Sequence, residues 1–104
     1  MAIFDTSHGG GDAYGPLVVT DDGTIEYLPN RHNARRYAII SASRDNTFPI
    51  FLRMHQTAPA IYDAGIPLYP GDSYELNDLN LYTGPVRAIT ASGETAVMYI
   101  HDGV

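Results

Sequence analysis

Apolar and polar residues alternate with a period of two along most of this chain, and clusters of Gly, Pro, Asn, Asp and Ser cut the alternation into short runs. The last third shows it best. Val86, Ala88 and Thr90 alternate with Arg87, Ile89 and Ala91; after Ser92-Gly93, Thr95, Val97, Tyr99 and His101 alternate with Ala96, Met98 and Ile100. This pattern predicts a terminal β-hairpin. Both alternating sets carry apolar groups, so these strands are expected to be covered twice, by a facing sheet and by another subunit or partner.

Upstream, Leu17–Thr20 and Thr24–Leu28 flank Asp21-Asp22-Gly23, whose Asp-Gly step predicts a first hairpin. Arg36–Ala42 has no strongly polar alternate set and reads as a central strand buried on both faces. In Phe48–His55, Phe48, Ile50, Leu52 and Met54 share one face, with Arg53 and His55 on the other. Pro49 cannot donate to a ladder and puts that end at an edge or at the strand start. Ala58–Tyr62, Ser73–Leu76 and Leu79–Tyr82 suggest three more short extended segments, while Gly65, Pro67, Pro70 and Gly71 punctuate a loop. Helical periodicity is weak throughout. Roughly seven to nine short strands divided by turns imply an all-β fold, a compact antiparallel β-sandwich or jelly roll.

The first sixteen residues break the pattern. His8-Gly9-Gly10-Gly11-Asp12 and Tyr14-Gly15-Pro16 are too rich in glycine for regular structure and too poor in apolar groups to pack alone. Residues 1–16 are therefore expected to form an extended N-terminal arm on a sandwich domain of residues 17–104. Such an arm would order on contact, laying its backbone along a neighbour as an added strand or latch. His8, Gly9, Gly10, Gly11 and Tyr14 thereby become candidate partner-binding residues.

A length of 104 residues fits one domain, and ten Gly, seven Pro and eight Tyr favour turns and aromatic-bearing strands. Without cysteine, neither a disulfide framework nor a thiolate metal site is available. Met1–Asp5 lacks a basic segment followed by an apolar run, and no stretch approaches the roughly 18 apolar residues of a membrane span. A soluble protein made in the cytoplasm, without a membrane partner, is expected.

The net charge of −6 argues against free nucleic acid as a partner. All six cationic residues are arginine. Arg31, Arg35 and Arg36 lie close together and could form a basic patch for a carboxylate-bearing protein surface, since guanidinium pairs with carboxylate in a fork. The simpler reading makes them solvent-facing residues at strand edges.

Candidate chemistry is thin. His8-Gly9-Gly10-Gly11 has the letters of a lipase oxyanion loop and Gly71-Asp72-Ser73 those of an esterase nucleophile block. Both chemistries need an α/β scaffold that the chain is too short to build, and no Gly-x-Ser-x-Gly elbow is present. Ser73 reads more simply as a turn hydroxyl. His8, His32, His55 and His101 lack metal-ligand spacing, so no metal or other cofactor is implied. Tyr14, Tyr62, Tyr69, Tyr74 and Tyr82, in or beside loops, could offer ring faces to a sugar or, in the reading favoured here, to a protein.

The segments Asn33-Ala34-Arg35-Arg36-Tyr37-Ala38-Ile39-Ile40-Ser41-Ala42-Ser43, Leu68-Tyr69-Pro70-Gly71-Asp72-Ser73, Tyr82-Thr83-Gly84-Pro85-Val86-Arg87-Ala88-Ile89 and Gly93-Glu94-Thr95-Ala96-Val97-Met98-Tyr99-Ile100 occur in that order. Together, over about residues 33 to 101, they resemble small β-sandwich virion proteins of tailed bacteriophages, of the head decoration or cement kind. Arg36 and the Pro70-Gly71 turn fit that pattern best. Ser41-Ala42-Ser43 replaces its usual asparagine, and His101-Asp102 its usual acidic ending. The resemblance implies a non-enzymatic protein on the virion surface, bound to the major capsid protein or another virion protein and often oligomeric, with a trimer near a threefold axis as the natural geometry. A carbohydrate- or receptor-binding module of a tail or fibre is the competing expectation.

Overall fold

Eight strands carry the chain in a computed structural model that describes residues 11–28, 35–77 and 79–103. They are β1 (Gly11–Val19), β2 (Glu26–Leu28), β3 (Tyr37–Ala42), β4 (Ile50–Met54), β5 (Ile66–Leu68), β6 (Ser73–Leu76), β7 (Val86–Ile89) and β8 (Ala96–Gly103). Two four-stranded sheets result, ordered β1-β8-β3-β6 and β2-β7-β4-β5, and every pairing is antiparallel. Only β4 and β5 are both consecutive in sequence and paired. Between all other consecutive strands the chain passes to the opposite sheet, which is the winding of an eight-stranded jelly roll. Among the described residues there is no helix.

Period-two alternation builds the core. Val19, Ala38, Ile40, Ala42, Leu76, Ala96, Met98 and Ile100 of the first sheet meet Leu28, Ile50, Leu52, Leu68, Val86 and Ala88 of the second, all buried. Thr90 is also buried just beyond β7, and its hydroxyl donates to the Pro49 carbonyl at 2.9 Å.

Four connections close one end: β1–β2, β3–β4, β5–β6 and β7–β8. Thr90 N donates to Thr20 O, Gly93 N to an Asp21 carboxylate oxygen, and Gly71 N to Ala42 O. The Asn46 side-chain amide behaves like a piece of strand, accepting from Val97 N at 2.8 Å and donating to Val97 O at 3.0 Å. In the first connection Asp22 Oδ1 accepts from Thr24 N and Thr24 Oγ1, and these hydrogen bonds, the hydroxyl's first, hold its carboxyl below the usual range.

Several expectations need correction. β7 and β8 lie in opposite sheets, as do β1 and β2, so neither expected hairpin forms. A turn specifies only that the chain reverses. Whether the returning strand lies beside its predecessor or faces it across the core depends on distant partners, here β2 and β4 for β7 and β1 and β3 for β8. β3 is central as expected, but Ile39 on its outer face is 40% exposed. Ala58–Tyr62 and Leu79–Tyr82 form no strands, whereas Ile66–Leu68 does, with Pro67 tolerated because β5 is an edge. Residues 11–16 belong to β1 rather than to an arm, because β8 supplies a ladder for them. The rest of the expected arm, residues 1–10, lies outside the described residues.

The two sheets differ on their outer sides. The connection between β4 and β5 folds back over the second sheet: Arg87 Nη1 donates to His55 O at 3.1 Å and to Ala58 O at 3.4 Å, and Tyr62 packs edge-on against Phe51 at 5.0 Å between centroids. Ala60, buried, donates its N–H to Gly23 O at 2.8 Å. A side chain at Gly23 would collide with the Ala60 carbonyl. Gly23→Ala is therefore expected to lift this cover, costing about 1–3 kcal/mol in urea denaturation and speeding proteolytic cleavage between residues 55 and 65. Unchanged cleavage would show that the cover is held from elsewhere.

Candidate functional site

Among the described residues, nothing comparable covers the outer face of the β1-β8-β3-β6 sheet. Cross-strand register places Ala13, His101, Ile39 and Glu75 in one row, with Tyr99, Ser41 and Ser73 in the next and Val18 beside Val97. Val18 is 57%, Tyr99 46% and Ile39 40% exposed. The Ser41 and Ser73 hydroxyls lie 2.9 Å apart, and the Tyr37 and His101 rings meet at a tilt with centroids 5.7 Å apart. Outward positions of the two central strands, Tyr37, Ile39, Ser41, Val97, Tyr99 and His101, include no carboxylate and no guanidinium.

A bulge in β1 shapes this face. Register shifts between Tyr14 and Leu17, and Gly15 adopts φ +142°, a conformation open to glycine and strained for other residues. A Cβ on Gly15 would stand 2.7 Å from Tyr99 Cδ1, so the Tyr99 ring lies against the bare glycine. Beside it opens a notch of about 290 Å³, lined by Ala13, Tyr14, Gly15, Ile39, Ser41, Tyr99, Ile100 and His101. It is mainly apolar with a polar rim, and fits a flat apolar or ring-bearing group better than an ion.

The residues singled out in the sequence are scattered. Tyr14 is half-buried in β1 and lines the notch, and Gly11 pairs with Gly103 at the end of the same strand. Arg36 is exposed next to β3, its N–H donating to Gly103 O at 2.7 Å. His8, Gly9, Gly10 and Arg31 lie outside the described residues. Arg35 does not belong to a surface patch, because it is fully buried. Its Nε lies 3.3 Å from the equally buried Asp102 carboxylate, and its Nη1 donates to Tyr82 O at 3.1 Å and Gly84 O at 3.0 Å. The guanidinium thus joins the lead-in to β3, strand β8 and the β6–β7 connection.

Nor do the loop tyrosines form a platform. Tyr69 is exposed, but Tyr62 meets Phe51 edge-on, Tyr74 packs against the core, and Tyr82 does so too while donating to Pro85 O at 2.9 Å. Tyr27 caps the β1 edge by donating to Val18 O at 3.2 Å, and burial pushes its hydroxyl pKa up. Ser73 opens β6, while the turn before it is made by Asp72, which accepts from Tyr69 N at 3.0 Å. His55 Nδ1 accepts from Thr57 N and Ala58 N on the covered side of the sandwich, far from the notch histidine His101 in fold terms. Among the described residues no three His, Cys, Asp or Glu gather as metal ligands.

Tyr99, Ile39, Ser41 and His101 were not anticipated as a site. The signal was present in β8, where Val97, Tyr99 and His101 alternate with the thoroughly apolar Ala96, Met98 and Ile100. Compared with family models, with curated proteins and with solved structures, the chain matches none.

Removing one partner of a buried ion pair strands the other charge in a low-dielectric interior. Arg35→Met is therefore expected to cost about 3–5 kcal/mol of folding stability, and Arg35→Met with Asp102→Leu less than Arg35→Met alone. Urea denaturation of the two variants checks this; equal losses would mean that the carbonyl contacts, not the carboxylate, dominate.

Proposed function

We propose that the chain is a non-enzymatic structural protein of a bacteriophage virion, a capsid decoration or cement protein that binds the assembled head and stabilises it. Jelly rolls serve in virion proteins, lectins and metal enzymes alike, so the architecture alone selects none of these. The observation that carries the reading is the contrast between the two sheets. One is covered by its own chain, and on the other the two central strands present exposed Ile39 and Tyr99 with no carboxylate or guanidinium beside them on those strands, a surface of a kind that usually marks a contact between proteins. The turn and strand pattern shared with small phage virion proteins over about residues 33 to 101 supports the same conclusion.

A cement protein acts by mass action. It binds the assembled lattice and not the separated subunits, and so stabilises the lattice by its binding free energy. Its partner in this reading is the major capsid protein or another protein of the virion surface, reached after synthesis in the host cytoplasm. Purified protein added to heads assembled without it is expected to saturate at a fixed copy number and to raise the temperature at which the heads break open. Heads that neither bind it nor gain heat resistance would sink the proposal.

The notch favours one second reading, a carbohydrate- or receptor-binding module of a tail or fibre. Tyr99 offers a ring surface to a pyranose, with Ser41 and His101 as polar neighbours. In that case tyrosine fluorescence would respond to members of a glycan panel, and Tyr99→Ala would abolish the response.

A further inference from the structure

We propose that the outer face of the β1-β8-β3-β6 sheet pairs with the same face of a second copy, giving a two-fold dimer with Tyr99, Ile39 and His101 near its centre. The inference rests on the reading of this face as a protein contact and names the partner.

Charge is the first ground. The chain carries net −6, so two copies repel overall, and the contact that adds least to that repulsion is one whose surfaces carry no charge. The outward positions of β3 and β8 carry no carboxylate and no guanidinium, and Glu75 stands on the edge strand β6. The acids Asp21, Asp22, Asp45, Asp72 and Glu94 lie in the connections that close one end of the sandwich. A strongly charged partner would call for complementary charge here, and the central strands offer none. An uncharged surface of the same make, a second copy, fits without a charge mismatch.

Area is the second ground. With strands about 4.8 Å apart, a four-stranded face some six residues long covers roughly 400 Å², so two copies would bury about 800 Å² in total, below the range of standard-size interfaces. That predicts a weak dimer. Shape agrees: two sheets stack with strands within about 30° and roughly 10 Å between sheets, which is how the domain already packs its own two layers. The two-fold also makes the contact self-complementary, since the apolar Val18, Ile39 and Tyr99 of one copy meet the same set on the other.

Sedimentation equilibrium of the full chain over a wide concentration range tests the proposal. The wild type is expected to pass from monomer to dimer at micromolar concentrations or above. Tyr99→Lys and Ile39→Lys should each remain monomeric, while Ile61→Lys, exposed on the cover of the other sheet, should dimerise as the wild type does. The substituted side chains are all partly exposed, and circular dichroism will verify that each variant is folded. Should a face variant fail to fold, dilution of the wild type still decides: backbone amide shifts should move at Ala13, Ile39 and Tyr99 and stay fixed between residues 55 and 65.

A wild type that stays monomeric overturns the proposal, as does a dimer that survives both face variants. A trimer overturns it too, because three copies cannot share one isologous face. The two readings fail separately. A monomer that still saturates heads removes the dimer and keeps the decoration role, and a dimer that binds no heads does the reverse.

Discussion

One buried guanidinium holds together an end of this sandwich that hydrogen-bonded ladders leave open. Arg35 precedes β3, yet it reaches Asp102 in β8 and two carbonyls, Tyr82 and Gly84, in the β6–β7 connection. A connection that enters the interior brings backbone carbonyls with it, and each needs a donor. The planar fork of arginine supplies several donors from one side chain, which a lysine could not do with the same geometry. Asp102 supplies the countercharge from within a strand, on the inward side next to the core residue Ile100. The jelly roll requires a long strand at this place, and β8 continues to Gly103 with β1 on one side and β3 on the other.

That arrangement governs the exposed surface as well. β8 is fixed on both edges, and its inner residues Ala96, Met98 and Ile100 are committed to the core, so Tyr99 and His101 necessarily project outward. The bulge at Gly15 then lets the Tyr99 ring lie down against β1 instead of standing off the sheet. On the second sheet the outward residues Phe51 and Arg87 are overlaid by residues 55–65, and Arg87 finds Glu26 at 3.1 Å. Among the described residues, the chain thus overlays one face with its own loop and leaves the other open.

Much of the fold was legible from alternation alone. The antiparallel sandwich, the core face of β4 with Ile50 and Leu52, and the Asp-Gly and Pro-Gly turns follow from local pattern and turn chemistry. What local pattern could not carry was the sheet to which each strand belongs. Asp21-Asp22-Gly23 and Ser92-Gly93 make good reversals whether the next strand pairs or faces its predecessor, and that choice is decided by partners far along the chain. β5 was hidden by Pro67, which reads as loop until the strand is known to be an edge. Arg35 misled for a related reason. Beside Arg36 it looks like part of a solvent-facing cluster, and only Asp102, sixty-seven residues away, reveals it as an interior group. The notch was illegible because its lining comes from β1, β3 and β8 together, and no single segment displays it.

The winding also sets how the molecule must be made. Among the described strands only β4 and β5 pair as neighbours in sequence; every other ladder joins distant segments, and the strand ladder of β1 is with β8. Chains dominated by such non-local pairings fold slowly, since loop closure has to precede the contacts that reward it. During synthesis the first strand therefore waits, its ladder groups unmatched, until the last one has left the ribosome, and the sheet that carries Tyr99 is completed only then.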